Sequence, residues 1–584
     1  MSDIDGRSIV TLVFFFISTL FVIHPFSFYV PLPVLGRRRF TIGLMTAPIL
    51  AIAILWASQC IGATQIRDGI VGTGRTVFDS YPDILTSLRS DGIKPYNILI
   101  LFISLAYMAI TLDITGILQA AAFWVSNKGG SSGRKLYFYL YLLLTVVSMV
   151  LGNDPIILSG TAFLVYYTAA TKLDPVAWLM SEFAAANTAS MVLFVGNPTN
   201  VVICEGFRIN NAAFTAYTIL PFIACCVACY AALAFQFRSS KYVPRKLHAP
   251  GHLNPRDVLR DPIGAWFGSI LLVICLAVII VLSFFHVDVW KVVLPFAVAK
   301  FAFDIGWDNY RYTSGQLPDV EELKHHRRQT LEDVVKSELK RAMSNTVDTP
   351  PVLHDAERSD TVMSKASDAA RLVIAEPEAI PRSSSPEASD DTQGKSKSKV
   401  LFSAQREQWA GIHDKLSARF PTITTAFPRL PFGLIPFAFS QFILIEGLAH
   451  QGWIEVFSNW FVKASNRQMI PTVWLIGVLG VVLCNVAGTN IGATILLTKV
   501  VHAAPDLPES SARAAAIALA VSSNIGAVSF TFSASLAGLL WKNILEQKNI
   551  TIKQRSFAFW NTLPLLAMTA VGLAVVTAEM VVLY

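Results

Sequence analysis

The chain has 584 residues, 53% of them hydrophobic and 15% charged, with a formal net charge of +7. A soluble domain carries about 25% charged residues, so this balance excludes an ordinary globular protein and implies many bilayer crossings. The positive charge marks no nucleic-acid surface, because the basic residues cluster in short loops beside apolar runs. Seven cysteines are present, and most lie inside those runs (Cys225, Cys226, Cys229, Cys275, Cys484), which excludes a disulfide framework. Cys225-Cys226-x-x-Cys229 has no His or Cys cluster elsewhere to complete a metal site, so neither metal nor cofactor is expected.

Apolar runs at 9–31 and 41–63 are each long enough to cross a bilayer. Arg37-Arg38-Arg39 lies between them, and the positive-inside rule places that loop in the cytoplasm. A polar external loop, 64–95, precedes a third span at 96–125 and a cytoplasmic loop with Lys128, Arg134 and Lys135. The run 136–171 holds Gly152-Asn153-Asp154-Pro155 at its middle. Read as a re-entrant hairpin with its tip at Asn153, it keeps Lys172 on the same side as the other basic loops. A broken span, 176–203, leads out, and 214–236 leads back to Arg238, Lys241, Arg245 and Lys246. Two further spans follow at 262–285 and 290–304.

Composition then changes. Residues 305–428 are charged and rich in Ser and Pro, the signature of a largely disordered cytoplasmic linker. Within it, 319–344 shows apolar residues at helical spacing and reads as a solvated surface helix. Ser383, Ser384 and Ser385 before Pro386 read as phosphorylation sites. The second half repeats the earlier plan: a span at 431–461, an apolar pair at 471–503, an interrupted span at 513–541 and a last span at 557–581. Val150-Leu151-Gly152-Asn153 aligns with Val482-Leu483-Cys484-Asn485, and the halves start on opposite sides of the membrane. The expected fold is an all-α polytopic membrane protein. It is an inverted repeat of two halves, each with about five spanning helices, one re-entrant hairpin and a broken helix at the midplane. Residues 1–240 form the first repeat, 241–304 open the second, 305–428 are the linker, and 429–584 complete the second repeat.

The chemistry sits in polar islands flanked by apolar helix, where lipid satisfies no hydrogen bond and a protein or water cavity must. Asn153 and Asp154 form one island, and Asn187, Thr188, Ser190, Asn197, Thr199 and Asn200 the next. The second half matches them with Asn485, Thr489 and Asn490, then Ser523, Asn524, Ser533 and Ser535. Freed backbone groups at a helix break bind ions or polar solutes, and Asn, Ser and Thr add neutral donors and acceptors. An Asp at the bilayer centre costs about 2.5–3.5 kcal/mol, so Asp154 is the first candidate for coupling to a proton or cation. Glu446 and Asp113, in the spans before the two hairpins, are further coupling candidates. Glu182 reads as a solvated carboxylate near the cytoplasmic surface, and His450 as a bundle histidine.

The run Phe183-Ala-Ala-Ala-Asn187-Thr-Ala-Ser190, continuing to Gly196-Asn197-Pro-Thr-Asn200, resembles the first broken helix of the arsenical pump membrane protein (ArsB) family. Asn524-Ile-Gly526 followed by Ser535-Leu-Ala-Gly-Leu-Leu-Trp541 is similar to that family's second broken helix, and Asn153-Asp154 to its first hairpin tip. The resemblance covers roughly 96–240 and 430–584. It implies a citrate-transporter-like domain of the ion transporter superfamily, beside dicarboxylate, silicic acid and NhaD-type sodium/proton carriers. The implied activity is proton-coupled efflux of arsenite- or antimonite-like solutes, with Na+/H+ antiport and citrate, dicarboxylate or silicate carriage left open. A sensor with the linker as output is the alternative outside transport. No HExxH or P-loop sequence is present, so an enzyme is not expected. Expected partners are the solute, the coupling ion and membrane lipid, with a homodimer and a regulatory partner of the linker left open. The expected setting is a membrane crossed several times, the plasma or vacuolar membrane if the source is eukaryotic.

Overall fold

The computed structural model describes residues 4–32, 36–73, 92–247, 253–285, 287–317, 334–341 and 403–584. Among these, eight helices are long and apolar enough to cross a bilayer. They include Gly6–Ile23, Pro95–Ile114, Asn211–Gln236, Met469–Val486 and Gln554–Leu583. The protein is an all-α, multi-pass membrane protein. Trp266, Val273, Phe284, Phe559 and Leu566 stand exposed on its outer helices, as lipid-facing side chains do.

The first two expected spans are corrected. The run 9–31 is helical only over Gly6–Ile23, and the chain then forms an antiparallel hairpin, Phe26–Leu32 paired with Gly36–Ile42. Pro25 disfavours helix in the residue before it, and the aromatic and β-branched run Phe26 to Val30 suits a strand. The helix that follows, Thr46–Ala57, has 12 residues. At 1.5 Å per residue it reaches about 18 Å, short of the roughly 30 Å hydrocarbon core.

Left-handed glycines divide other runs. Gly116 (φ +87°) separates Pro95–Ile114 from Ile117–Gly129, where 96–125 suggests one span. Gly452 (φ +81°) does the same between Leu434–His450 and Trp453–Ser465, inside 431–461. Glycine takes this conformation without a Cβ penalty, so both are natural helix stops. Hydropathy is blind to them. The hairpin tips use the same device: Gly152 (φ +82°) joins Gly133–Leu151 to Asn153–Ala170. Gly488 (φ +87°) lies between Met469–Val486 and Asn490–His502. The second tip therefore turns at Gly488, inside the polar stretch Asn485–Asn490 and three residues beyond the Asn485 that aligns with Asn153.

Each half closes on a helix with an internal proline, Pro221 in Asn211–Gln236 and Pro564 in Gln554–Leu583, and the two helices pack together. A proline frees the carbonyl four residues earlier. Gln236 Nε2 donates to that carbonyl, Trp560 O, at 2.8 Å, so the packing partner repairs the break.

Of the expected linker, 305–313 instead completes the helix Val289–Thr313. Ser403–Arg419 and Pro421–Ala426 are helical as well. A helix over 334–341 buries Val335 and Leu339, so its apolar stripe faces protein and the solvated reading fails there. The remainder of 319–344, residues 345–400 and Ser383–Ser385 lie outside the described residues. A polar stripe on Val289–Thr313 ties that helix to Pro95–Ile114 and to Pro421–Ala426. Lys300, 1% exposed, pairs with Asp304, which also accepts from Tyr107 Oη at 2.8 Å. One turn on, Asp308 accepts from Thr422 N at 2.8 Å and Thr422 Oγ1 at 3.0 Å. Asp308→Ala strips both Thr422 donors of their acceptor, a loss of about 1–3 kcal/mol. Thermal unfolding in detergent should start at lower temperature, and limited proteolysis should cut faster within 403–426. An unchanged Tm would show that this contact does not fasten the segment.

Candidate functional site

Two helices are interrupted in the middle of the protein. Pro175–Ala189 stops, a 3-10 turn at Phe194–Gly196 follows, and Pro198–Gly206 restarts. In the second half Glu509–Gly526 stops, Phe532–Ala534 turns, and Leu536–Gln547 restarts. Local sequence dictates the restarts. Asn197 Oδ1 accepts from Thr199 N at 3.2 Å with Pro198 at the first helical position, and Ser535 Oγ accepts from Gly538 N at 3.0 Å. Thr489 caps the second tip helix by accepting from Gly492 N, while Asp154 sits in the first turn of the first tip helix. Four helix N-termini are thereby set within the apolar interior, each carrying roughly half a positive charge.

Crossing hydrogen bonds tie the breaks together. Asn524, 0% exposed, accepts from Ser190 Oγ (2.9 Å) and Asn197 Nδ2 (3.1 Å), and donates to Asn200 Oδ1 (2.8 Å). Asn200 Nδ2 donates in turn to the freed carbonyls of Ser190 and Leu193, each at 2.8 Å. Ser523 Oγ reaches Thr199 Oγ1 at 3.5 Å. The tips join through Asn153 Nδ2, which donates to Asn187 Oδ1 at 3.1 Å, and Asn485, which donates to Ser529 Oγ at 2.7 Å and accepts from Thr531. Ser533 donates to Thr531 beside it. Thr188 stands apart and donates to the Met568 sulfur. Most of the expected polar set therefore binds itself. Among the described residues, the Asp154 carboxyl and the Asn490 amide have no such partner.

The other carboxylates are placed differently from their sequence reading. Asp113 is buried against Arg429 (3.5 Å) and Gln119 (3.4 Å). Glu446 pairs with Lys499 at 2.6 Å, so that coupling candidate faces a cation which the uncharged islands did not reveal. The signal was a lone Lys in the apolar run 471–503. Glu182 is not near solvent: it is 0% exposed and accepts from Thr161 Oγ1 at 3.0 and 3.1 Å. His450 is exposed. Beyond the spans, Asp288 lies 3.3 Å from Lys94 and 2.9 Å from Lys291. Burial alone would push its carboxyl up, but hydrogen bonds from Lys291 and Lys94 hold it below the usual carboxylate range. Cys225 packs with its thiol toward the Met568 carbonyl. No His, Cys, Asp or Glu group able to hold a metal occurs among the described residues.

Asn524→Ala removes one amide and leaves Ser190, Asn197 and Asn200 each short of a buried partner. Each orphaned group costs about 1–3 kcal/mol. The variant should unfold at distinctly lower temperature in detergent, whereas Thr188→Val should match the parent. Equal stability of Asn524→Ala would mean the crossing is held by other contacts.

Residues 34–308 match the family model described as citrate transporter (CitMHS). An arsenical pump membrane protein of Yersinia enterocolitica is 28% identical over 257 residues, 43% of this chain and 57% of that protein. One from Escherichia coli is 26% identical over 210 residues, covering 35% and 48% respectively. The chain spans about half the length of the curated relatives it matches. The solved YdaH transporter of Alcanivorax borkumensis aligns over 98% of both chains, at 9% identity and a TM-score of 0.34, a likeness too slight to carry an argument. The chain is thus similar over part of its length to the citrate transporter family and to arsenical pump membrane proteins, and with eight helices among the described residues long and apolar enough to cross a bilayer it is a multi-pass membrane protein.

Proposed function

We propose that the chain is a secondary active carrier of a small oxygen-bearing inorganic solute, arsenite or antimonite foremost, with a proton as the coupled ion. The observation that carries this reading is the set of four helix N-termini flanked by Asn, Ser and Thr, with no Lys or Arg among them. A neutral hydroxylated solute needs donors and acceptors that replace its water, and such ends supply them. The names of the similar arsenical pump proteins support the same solute class. The citrate family match favours a second reading, a polycarboxylate carrier. Against it, the nearby Lys499 is engaged by Glu446, and Lys542 beside the second break pairs with Glu546.

In this reading Asp154 couples the ion. It stands at a helix N-terminus with no cation paired to it among the described residues, so a proton or Na+ can compensate its charge. Everted vesicles or proteoliposomes offered arsenite, antimonite, silicate, citrate and Na+, with and without a proton gradient, test the proposal. Arsenite should accumulate only with the gradient. Asp154→Asn should fold, lose gradient-driven accumulation at least tenfold and retain solute exchange. Carriage of citrate without arsenite would replace the leading solute with the polycarboxylate reading. Full accumulation by Asp154→Asn would remove its coupling role.

A further inference from the structure

Glu182 stands on the first interrupted helix, seven residues from its Pro175 start and five before Asn187. Its carboxyl is sealed against the first tip helix, where Thr161 Oγ1 lies within hydrogen-bond distance of both oxygens. Gly160 makes the fit feasible: a Cβ there would fall 2.6 Å from Glu182 Oε1. Among the described residues no ion pair reaches Glu182. The charged groups of the surrounding helices stand elsewhere. Arg134 and Lys135 of Gly133–Leu151, Glu509 and Arg513 of Glu509–Gly526, and Arg555 of Gln554–Leu583 are exposed. Lys542 and Glu546 of Leu536–Gln547 pair with each other. Glu579 is two dozen residues from Arg555 at the far end of its helix. On the tip helix Asp154 is about 10 Å along the axis from Thr161, at 1.5 Å per residue. The Tyr137 and Tyr141 hydroxyls donate to the carbonyls of Ala177 and Cys226. Cys225, Cys229 and Tyr230 of Asn211–Gln236, together with Tyr167, carry no charge to offer.

A carboxylate sealed from water without a cation costs several kcal/mol, whereas a carboxylic acid in the same place needs only hydrogen bonds. Gly160, against which the Glu182 carboxyl packs, also lines a mostly apolar cavity of about 30 Å³, walled by leucines, Val147, Ile156 and Phe163 with Gln119 and Ser159 as its polar members, which has room for a water molecule. Gln119, one of its lining residues, has a buried Oε1 with no hydrogen-bond partner among the described residues. From this geometry we propose that Glu182 is a second proton-binding site, distinct from Asp154, whose protonation holds the first tip helix against the first interrupted helix. When the O–H bond breaks and the proton passes to water, the ionised carboxyl can no longer remain in the dry contact. The two helices then separate. Proton uptake reverses this, with no change of electrons. The site would thereby make solute movement depend on pH even without a gradient.

The inference rests on the carrier reading only for its transport readout, so two measurements are paired. Difference infrared spectroscopy on the full chain in lipid should show a protonated carboxylic-acid band at neutral pH. That band should be missing in Glu182→Gln and bleach as pH rises. Solute exchange at equal pH on both sides should fall at alkaline pH in the parent and lose that limb in Glu182→Gln. Thr161→Val, nearly isosteric, removes a donor that favours the ionised form, so limb and band should both move to higher pH by at least half a unit. This variant decides the matter if Glu182→Gln does not fold. Absence of any band assignable to Glu182, or unchanged pH dependence in both variants, would overturn the proposal. Failure of the parent to move any solute would overturn the carrier reading and leave the infrared result standing.

Discussion

Hydrocarbon offers no hydrogen bonds, and that single constraint governs the centre of this protein. Interrupting a helix at mid-membrane frees several N–H and C=O groups at once, each costing several kcal/mol if left bare. Here the asparagines meet that demand. Asn200 covers the carbonyls of Ser190 and Leu193, Asn197 caps its own restart, and Asn524 reaches across from the other half to bind the set together. The polarity that marks this region in the sequence is thus largely structural, and of the polar residues singled out from the sequence only one carboxyl and one amide, Asp154 and Asn490 at helix starts, are left without a hydrogen bond among the described residues.

The same economy recurs in matched places. Glycines in the left-handed conformation end the helix before each hairpin (Gly116, Gly452) and turn each tip (Gly152, Gly488). A proline bends each closing helix ten residues after its start (Pro221, Pro564). The restarted helix of each half packs on the tip helix of the other, Pro198–Gly206 on Asn490–His502 and Leu536–Gln547 on Asn153–Ala170. Any movement of one tip is therefore felt by the opposite interrupted helix. This cross-packing gives the proposed coupling a physical path between Asp154, Glu182 and the break.

Much of this was legible in the sequence because apolar length and polar interruption are one-dimensional signals. The runs around Asn153, Asn187–Asn200, Gly488–Asn490 and Asn524–Ser535 are where the chain turns or breaks. Other features depend on three-dimensional neighbours. Glu182, two residues from Met180 on a helix leaving a charged loop, looked solvated until Gly160 and Thr161 closed over it. Glu446 looked unpaired because Lys499 lies 53 positions on, in a run that reads as lipid-facing. The aromatic run after Pro25 extended an apolar stretch that hydropathy alone could not divide into helix and strand.

The central claim is that solute crosses at the starts of the interrupted and tip helices. A structure of the full chain in lipid nanodiscs, determined with the transported solute present, tests it most directly. The account predicts solute density within about 3 Å of donors at the N-termini that follow Gly152, Asn197, Thr489 and Ser535, next to Asp154 and Asn490. Density confined to the Glu446–Lys499 pair or to the apolar cavity between Phe15, Trp460 and Leu497, with the four helix starts empty, would contradict it.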